Sequence, residues 1–240
     1  MLRLPLVVAG AVVALVPCRA AAHPDDYIDE TFVFQTVEPG ETEIEGWVEG
    51  HQAKAGDDLR GIYTLVVEHG FTPHAMADLA AQVVQDVDGV SFGRLRGEGR
   101  LRFADEGEWP VDFALSAEYE LETTSASKED ATEHLITPRL VLSRDLVPRF
   151  NTTLNLDLPI RISPDARVSF AYRVGVRYPA QAIVRVGAEF RHEVRDHVAE
   201  VFPQIWFQPR QDLAVKLGVG VGLTGSADRF TARLVVELEI

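Results

Sequence analysis

Along most of this chain, apolar and polar residues take turns. From Phe230 to Ile240, one set of alternate positions holds Phe230, Ala232, Leu234, Val236, Leu238 and Ile240, and the other holds Thr231, Arg233, Val235, Glu237 and Glu239. Leu213 to Leu223 sets a row of Leu and Val against Ala214, Lys216, Gly218, Gly220 and Gly222. Val111 to Leu121, Thr152 to Ile160, Val168 to Tyr178 and Ala182 to Glu193 repeat the pattern. A period of two places the two sets on opposite faces of a β-strand. The pattern predicts twelve strands, near 43–52, 58–71, 75–86, 91–104, 110–122, 134–144, 150–161, 168–178, 182–194, 199–209, 213–223 and 229–240. Met76, Leu79, Ala80 and Val83 also have helical spacing, but strand is the preferred reading there.

Two architectures accommodate so many alternating strands: a soluble sandwich or small barrel, and a membrane β-barrel. Three features favour the membrane form. Charge is dense on one face of nearly every strand and almost absent from the other, as a polar lumen inside a lipid-facing wall requires. The strands are long enough for the tilted crossing of a bilayer, roughly 9–11 residues, whereas soluble strands average about 5–6. Aromatic residues sit near strand ends (Phe71, Phe103, Trp109, Phe150, Tyr178, Phe190, Phe207, Phe230), where an interfacial girdle lies. The predicted fold is all-β: an antiparallel up-and-down transmembrane β-barrel of about twelve strands, within a range of ten to fourteen, over residues 43–240.

The start of the chain differs. A short basic start containing Arg3, an apolar run from Leu4 to Val16 and small residues at Ala20, Ala21 and Ala22 have the layout of a secretory signal peptide over residues 1–22. The apolar run is shorter than the roughly 20 residues a membrane helix needs. Cleavage after Ala22 leaves 240 − 22 = 218 residues. The formal charge of −14 becomes 21 − 37 = −16 as Arg3 and Arg19 leave. The single cysteine, Cys18, leaves too, which excludes a disulfide framework in the exported chain. So acidic a chain is poorly suited to nucleic acid. A mean hydropathy near zero is the average of one apolar and one charged face.

Residues 23–42 precede the first predicted strand, as a periplasmic segment or, through Thr31 to Val37, as an extra strand closed by a turn at Glu38, Pro39 and Gly40. With both ends of the barrel in the periplasm, the long connection from Thr123 to Glu133 and that from His51 to Asp57 fall outside the cell.

The stretches Tyr63 to Thr72, Thr137 to Asp145 leading into Asn151 to Asn155, and Arg173 to Tyr178 followed by Gly187 to Phe190 resemble outer-membrane β-barrel proteins of the MetA-pathway-of-phenol-degradation family. The resemblance spans most of residues 42–240 and implies a barrel that passes small, often hydrophobic molecules. It also implies outer-membrane lipid and the barrel-assembly machinery as partners. Such barrels usually end in an aromatic residue, and this chain ends in Ile240.

The charged face supplies the candidate site. Glu43, Glu45, Arg94, Arg96, Arg100, Arg102, Arg173, Arg185, Glu189 and Arg191 are expected to line the lumen. There they either select a small-molecule solute by charge or pair with one another in a filled, structural barrel. Trp47, Phe202 and Trp206, on the same face, are candidates for a constriction. The seven histidines show no metal-binding spacing. His23, which cleavage would make the amino terminus, is a candidate for a copper ion, with Asp25 and Asp26 nearby. There is no nucleophile elbow, phosphate loop or dinucleotide fingerprint, so no enzyme and no cofactor is predicted. The expected function is an outer-membrane channel or transport component. The rival readings are a soluble periplasmic ligand-binding β protein and a closed structural barrel.

Overall fold

The computed structural model describes residues 26–28, 30–54, 59–124, 131–147, 150–163, 165–180 and 182–240. The expected signal peptide and His23 lie outside these residues. The strands, in chain order, are β1 (Thr42–Gln52), β2 (Leu59–Thr72), β3 (Ala75–Asp86), β4 (Gly89–Arg102), β5 (Asp112–Thr124), β6 (Ala131–Val147) and β7 (Phe150–Asp157). They continue with β8 (Ile160–Ser163), β9 (Arg167–Val168), β10 (Ala171–Tyr178), β11 (Val184–Glu193), β12 (Val198–Arg210), β13 (Leu213–Gly222) and β14 (Phe230–Glu239). Twelve of them form a closed antiparallel barrel in sequence order, with β7 pairing directly with β10. The first and last strands join from Glu43↔Glu239 to Gln52↔Phe230, and the amide of Ile240 donates to the carbonyl of Thr42 at 2.8 Å. Closure pairs each of the twelve wall strands on both sides, so the wall itself has no open edge, which lipid would not tolerate.

The short strands β8 and β9 are an excursion. They form a hairpin that packs on the extended start of β6, with Ile136 opposite Ile160. The predicted strands over 150–161 and 168–178 are therefore each interrupted. Thr72 to Val84 is strand, as preferred over helix, apart from the turn at Pro73 and His74.

The two faces separate as the alternation requires. Leu65, Leu79, Leu101, Leu115, Val186, Leu217 and Leu238 are exposed on the outside, where an apolar belt is stable against lipid acyl chains. Aromatic groups cluster at both rims. Phe103 stacks on Phe113 at 5.0 Å and Trp109 lies 4.9 Å from Phe113 at the rim that carries the chain's last residue. At the opposite rim Tyr172 lies 5.9 Å from Phe190 and 5.4 Å from His192, and the Tyr119 hydroxyl bonds His134 Nδ1 at 2.7 Å.

Residues 31–37 do not form the extra strand considered above. The chain turns at Pro39 and Gly40 (φ +87°) and enters the barrel. Here Gly70 is needed: a Cβ would lie 2.1 Å from the Glu38 carbonyl oxygen. A strand at this point would need a free edge to pair with, and the β1–β14 junction has none. The apolar residues of the segment are instead buried within the lumen.

Candidate functional site

The site is the barrel interior and the segment that fills it. Residues 26–28 and 30–37 belong to a folded-back loop in which the Tyr27 amide donates to the Thr31 carbonyl at 3.0 Å and Glu30, at the tip, has φ +59°. Tyr27, Ile28, Phe32, Val33, Phe34 and Val37 are all buried. Ile28 packs with Trp47, Val66, Phe202 and Val235. Phe32 and Phe34 pack with Ala114 and Val141, and Tyr27 and Val33 pack with Trp206. A polar lumen has few apolar groups to offer, so the wall places them where the segment docks. Gly175 makes room for Tyr27, whose ring would lie 2.8 Å from a Cβ added there.

An irregular segment enclosed in a barrel must satisfy its backbone groups with side chains. The wall does so from several strands. Asn155 accepts from the Phe32 amide at 2.7 Å and donates to its carbonyl at 2.9 Å, with Thr153 donating to the same oxygen at 2.8 Å. Gln204 accepts from the Ile28 amide at 2.9 Å and Glu189 from the Thr31 amide at 3.1 Å. Arg233 donates to the Ile28 carbonyl, and the Tyr27 hydroxyl donates to Asn151 at 3.0 Å.

Charge holds the loop at both ends. Glu30 bridges Arg94 and Arg96 at 2.8 and 2.9 Å, and Asp26 pairs with Arg100 at 2.8 Å. The guanidinium carbons of Arg100 and Arg139 lie 4.0 and 4.1 Å from the Phe32 ring centroid. Cation–π contacts of this kind contribute about 0.5–2 kcal/mol each, more when water is excluded. Beside the loop are two crevices of about 20 Å³ each, close to the room a single water needs.

The candidate residues all point inward, but they divide among tasks. Arg94, Arg96, Arg100 and Glu189 bind the loop, and Arg102 lies 5.6 Å from the Phe34 ring centroid. Arg173 and Arg191 border an open cavity at the far rim and pair with Asp157 and Glu200. Glu45 meets Lys216 at 3.2 Å and the Trp47 indole at 2.7 Å, Arg185 donates to Gln208 at 3.1 Å, and Glu43 is buried on β1. Trp47, Phe202 and Trp206 face inward and serve as packing for the loop. Asp26 pairs with Arg100 and lies in no group of His, Cys, Asp and Glu suited to a metal among the described residues.

The residues missed at sequence level are Asn151, Asn155, Gln204, Arg139 and Arg233. Their one signal was an inward polar position on an alternating strand, which does not reveal that their partner is the backbone of residues 26–37. Replacing Gly175 by valine is expected to push Tyr27 out of its seat and loosen the loop while leaving the wall paired. The measurement is protease cleavage of the amino-terminal segment in detergent, expected to be faster by about an order of magnitude, with unchanged heat-modifiable gel migration.

No family model matches the sequence, and no curated protein does. Solved structures do match the fold. The chain is similar to an outer-membrane channel from Pseudomonas putida at 11% identity and a TM-score of 0.63, covering 86% of this chain and 98% of that one. It is similar to the KdgM porin at 12% identity and a TM-score of 0.59, covering 82% and 98%. It is also similar to the outer membrane phospholipase A from Escherichia coli at 9% identity and a TM-score of 0.51, covering 83% and 93%. The chain has the barrel fold these proteins share. That fold hosts both channels and an enzyme, so it assigns no chemistry by itself.

Proposed function

We propose that this protein is an outer-membrane channel for small solutes, closed at rest by residues 26–37 and open when that segment leaves the lumen. The observation that carries the reading is the manner of filling. The wall's own charged side chains pair with one another, as Arg139 does with Glu98 and Asp157 and Lys216 with Glu45. Among them sits a further segment held through its backbone amides and carbonyls rather than by a strand ladder, which is the arrangement expected of a plug. The rim holding Thr42 and Ile240 has two-residue turns at 73–74 and 211–212 and is assigned to the periplasm, where such barrels carry their short turns. The loop then enters from the periplasmic side. The stretches that resemble the MetA-pathway-of-phenol-degradation family extend the reading to hydrophobic solutes, and the barrel-assembly machinery is the partner a folded barrel of this type implies. The channel structures supply the support for transport, and no residue is assigned to catalysis.

The class of protein is tested by fractionation. The exposed apolar belt predicts that the protein stays with the outer membrane on osmotic shock, needs detergent for extraction, and migrates differently on denaturing gels before and after boiling. Release into the shock fluid without detergent would establish the soluble alternative instead.

A further inference from the structure

At the far rim, above the tip of the loop, the lumen opens into a cavity of about 440 Å³. This is within the range of small-molecule sites, roughly 300–1,000 Å³. Its walls carry opposite charge. On one side β5 presents Glu118, Glu120 and Glu122 at successive inward positions. On the other side stand Arg161 on β8, Arg167 on β9, Arg173 on β10, Arg191 on β11 and Arg195 just beyond it. Most of these groups are paired: Arg161 with Glu133 at 2.5 Å, Arg191 with Glu200 at 2.6 Å, Arg173 with Asp157, and Glu118 lies 3.9 Å from Arg96 and Arg139. Arg94 is held by Glu30 and Glu120, and Arg139 by Glu98 and Asp157. Glu133, Glu200, Glu193 (3.9 Å from Arg191) and the rim residue Asp196 offset much of the basic wall, and Arg167 and Arg195 carry its remaining positive charge.

Counted over the lining, acids and arginines balance at seven each, so the cavity as a whole favours neither anions nor cations. What it has is direction. Opposed rows of charge in a space walled by protein set up a transverse field, and low-dielectric walls concentrate it. A molecule with one charge gains on one wall and is repelled by the other. A molecule carrying an ammonium at one end and a carboxylate at the other gains on both. Among the described residues Glu122 and Arg167 hold no ion pair, and Arg195 donates to the Val168 carbonyl at 3.3 Å, which leaves charge on both walls for a ligand.

We propose that this vestibule is a binding site for small zwitterions of amino-acid or dipeptide size, with the ammonium toward Glu118, Glu120 and Glu122 and the carboxylate toward the arginine wall. The site needs the loop in place as its floor, so it stands apart from whether the lumen ever opens. The test is calorimetric titration of the full-length barrel in detergent with glycylglycine, N-acetylglycylglycine and glycylglycinamide. Glycylglycine is expected to bind at least about tenfold more tightly than either blocked form, a ratio set by losing one of two charge contacts. Glu122→Gln is expected to erase the advantage over N-acetylglycylglycine. Arg167→Gln with Arg195→Gln is expected to erase that over glycylglycinamide. All three substitutions lie at the rim, and heat-modifiable migration checks that each barrel is folded. Equal binding of a singly charged form, or no saturable binding to the folded wild-type barrel, would overturn the proposal. Binding without any conductance would leave the site standing and count against the channel.

Discussion

Deleting residues 26–37 is expected to raise single-channel conductance in planar bilayers by about an order of magnitude, because a twelve-stranded barrel freed of its filling has room for a continuous aqueous path. In the intact chain two crevices beside the loop hold about 20 Å³ each, near the room of one water, and passages of that size are expected to restrict ion flow. The deletion also changes selectivity. It removes Asp26 and Glu30 and frees Arg94, Arg96 and Arg100 from them. The opened lumen should therefore favour anions more than the intact barrel does, seen as a shift in reversal potential under a salt gradient. The wall should survive, since Arg96 keeps Asp78, Arg94 keeps Glu120 and Arg139 keeps Glu98 and Asp157. A folded deletion variant with unchanged conductance would refute the gate. Glu30→Gln, which weakens the tip contacts and leaves the segment present, should give more frequent openings of the same size.

The second large effect is on stability. Arg139 is buried against the loop, with Nε 2.6 Å from Asp157 and Nη1 3.2 Å from Glu98. Replacing it with methionine keeps much of the volume and leaves two buried carboxylates short of a partner. Breaking a buried pair in this way costs about 3–5 kcal/mol. The lower end of that range is expected, because Asp157 retains Arg173 and Glu98 retains Arg100 at 3.8 Å. Arg161→Met is the contrast. Its pair with Glu133 is nearer the rim and more accessible, and exposed pairs contribute about 0–1 kcal/mol. Reversible urea unfolding in lipid should separate the two variants clearly. Similar losses for both would mean that the interior is hydrated enough to treat its charges as surface charges.

How far the sequence could be read depended on whether the signal was local. Strand β3 begins and ends where the alternation placed it, at 75 and 86, and β1 differs by a single residue at its start. Arg94, Arg96, Arg100, Arg173 and Arg185 were legible as inward, because position on an alternating strand decides a residue's face, whereas Arg139 was not singled out. The partner of each was not legible. Tyr27 meets Asn151 across 124 residues and Phe32 meets Asn155 across 123, separations that no local pattern encodes. The β8–β9 hairpin was missed for a related reason. Its few residues extend the alternation on either side, so Ile160 and Arg161 read as the end of one long strand, Val168 as the start of the next, and 162–167 as a plain connection.

Residues 26–37 show the division most clearly. Phe32, Val33 and Phe34 are consecutive apolar residues between polar flanks, which suits a short strand buried on both faces. Strand or loop could be decided only by what surrounds them. By itself the sequence determined a closed all-β wall with an apolar outside and a charged inside, because a period of two is a property of neighbouring residues and the length of each repeat matches a bilayer crossing. The tertiary structure decided that the charged inside also holds the segment that precedes the first strand. Once twelve strands close, they leave one enclosed space and no free edge. A nearby apolar segment is buried in that space, with Asn155, Gln204 and Glu189 replacing the backbone partners a sheet would have supplied.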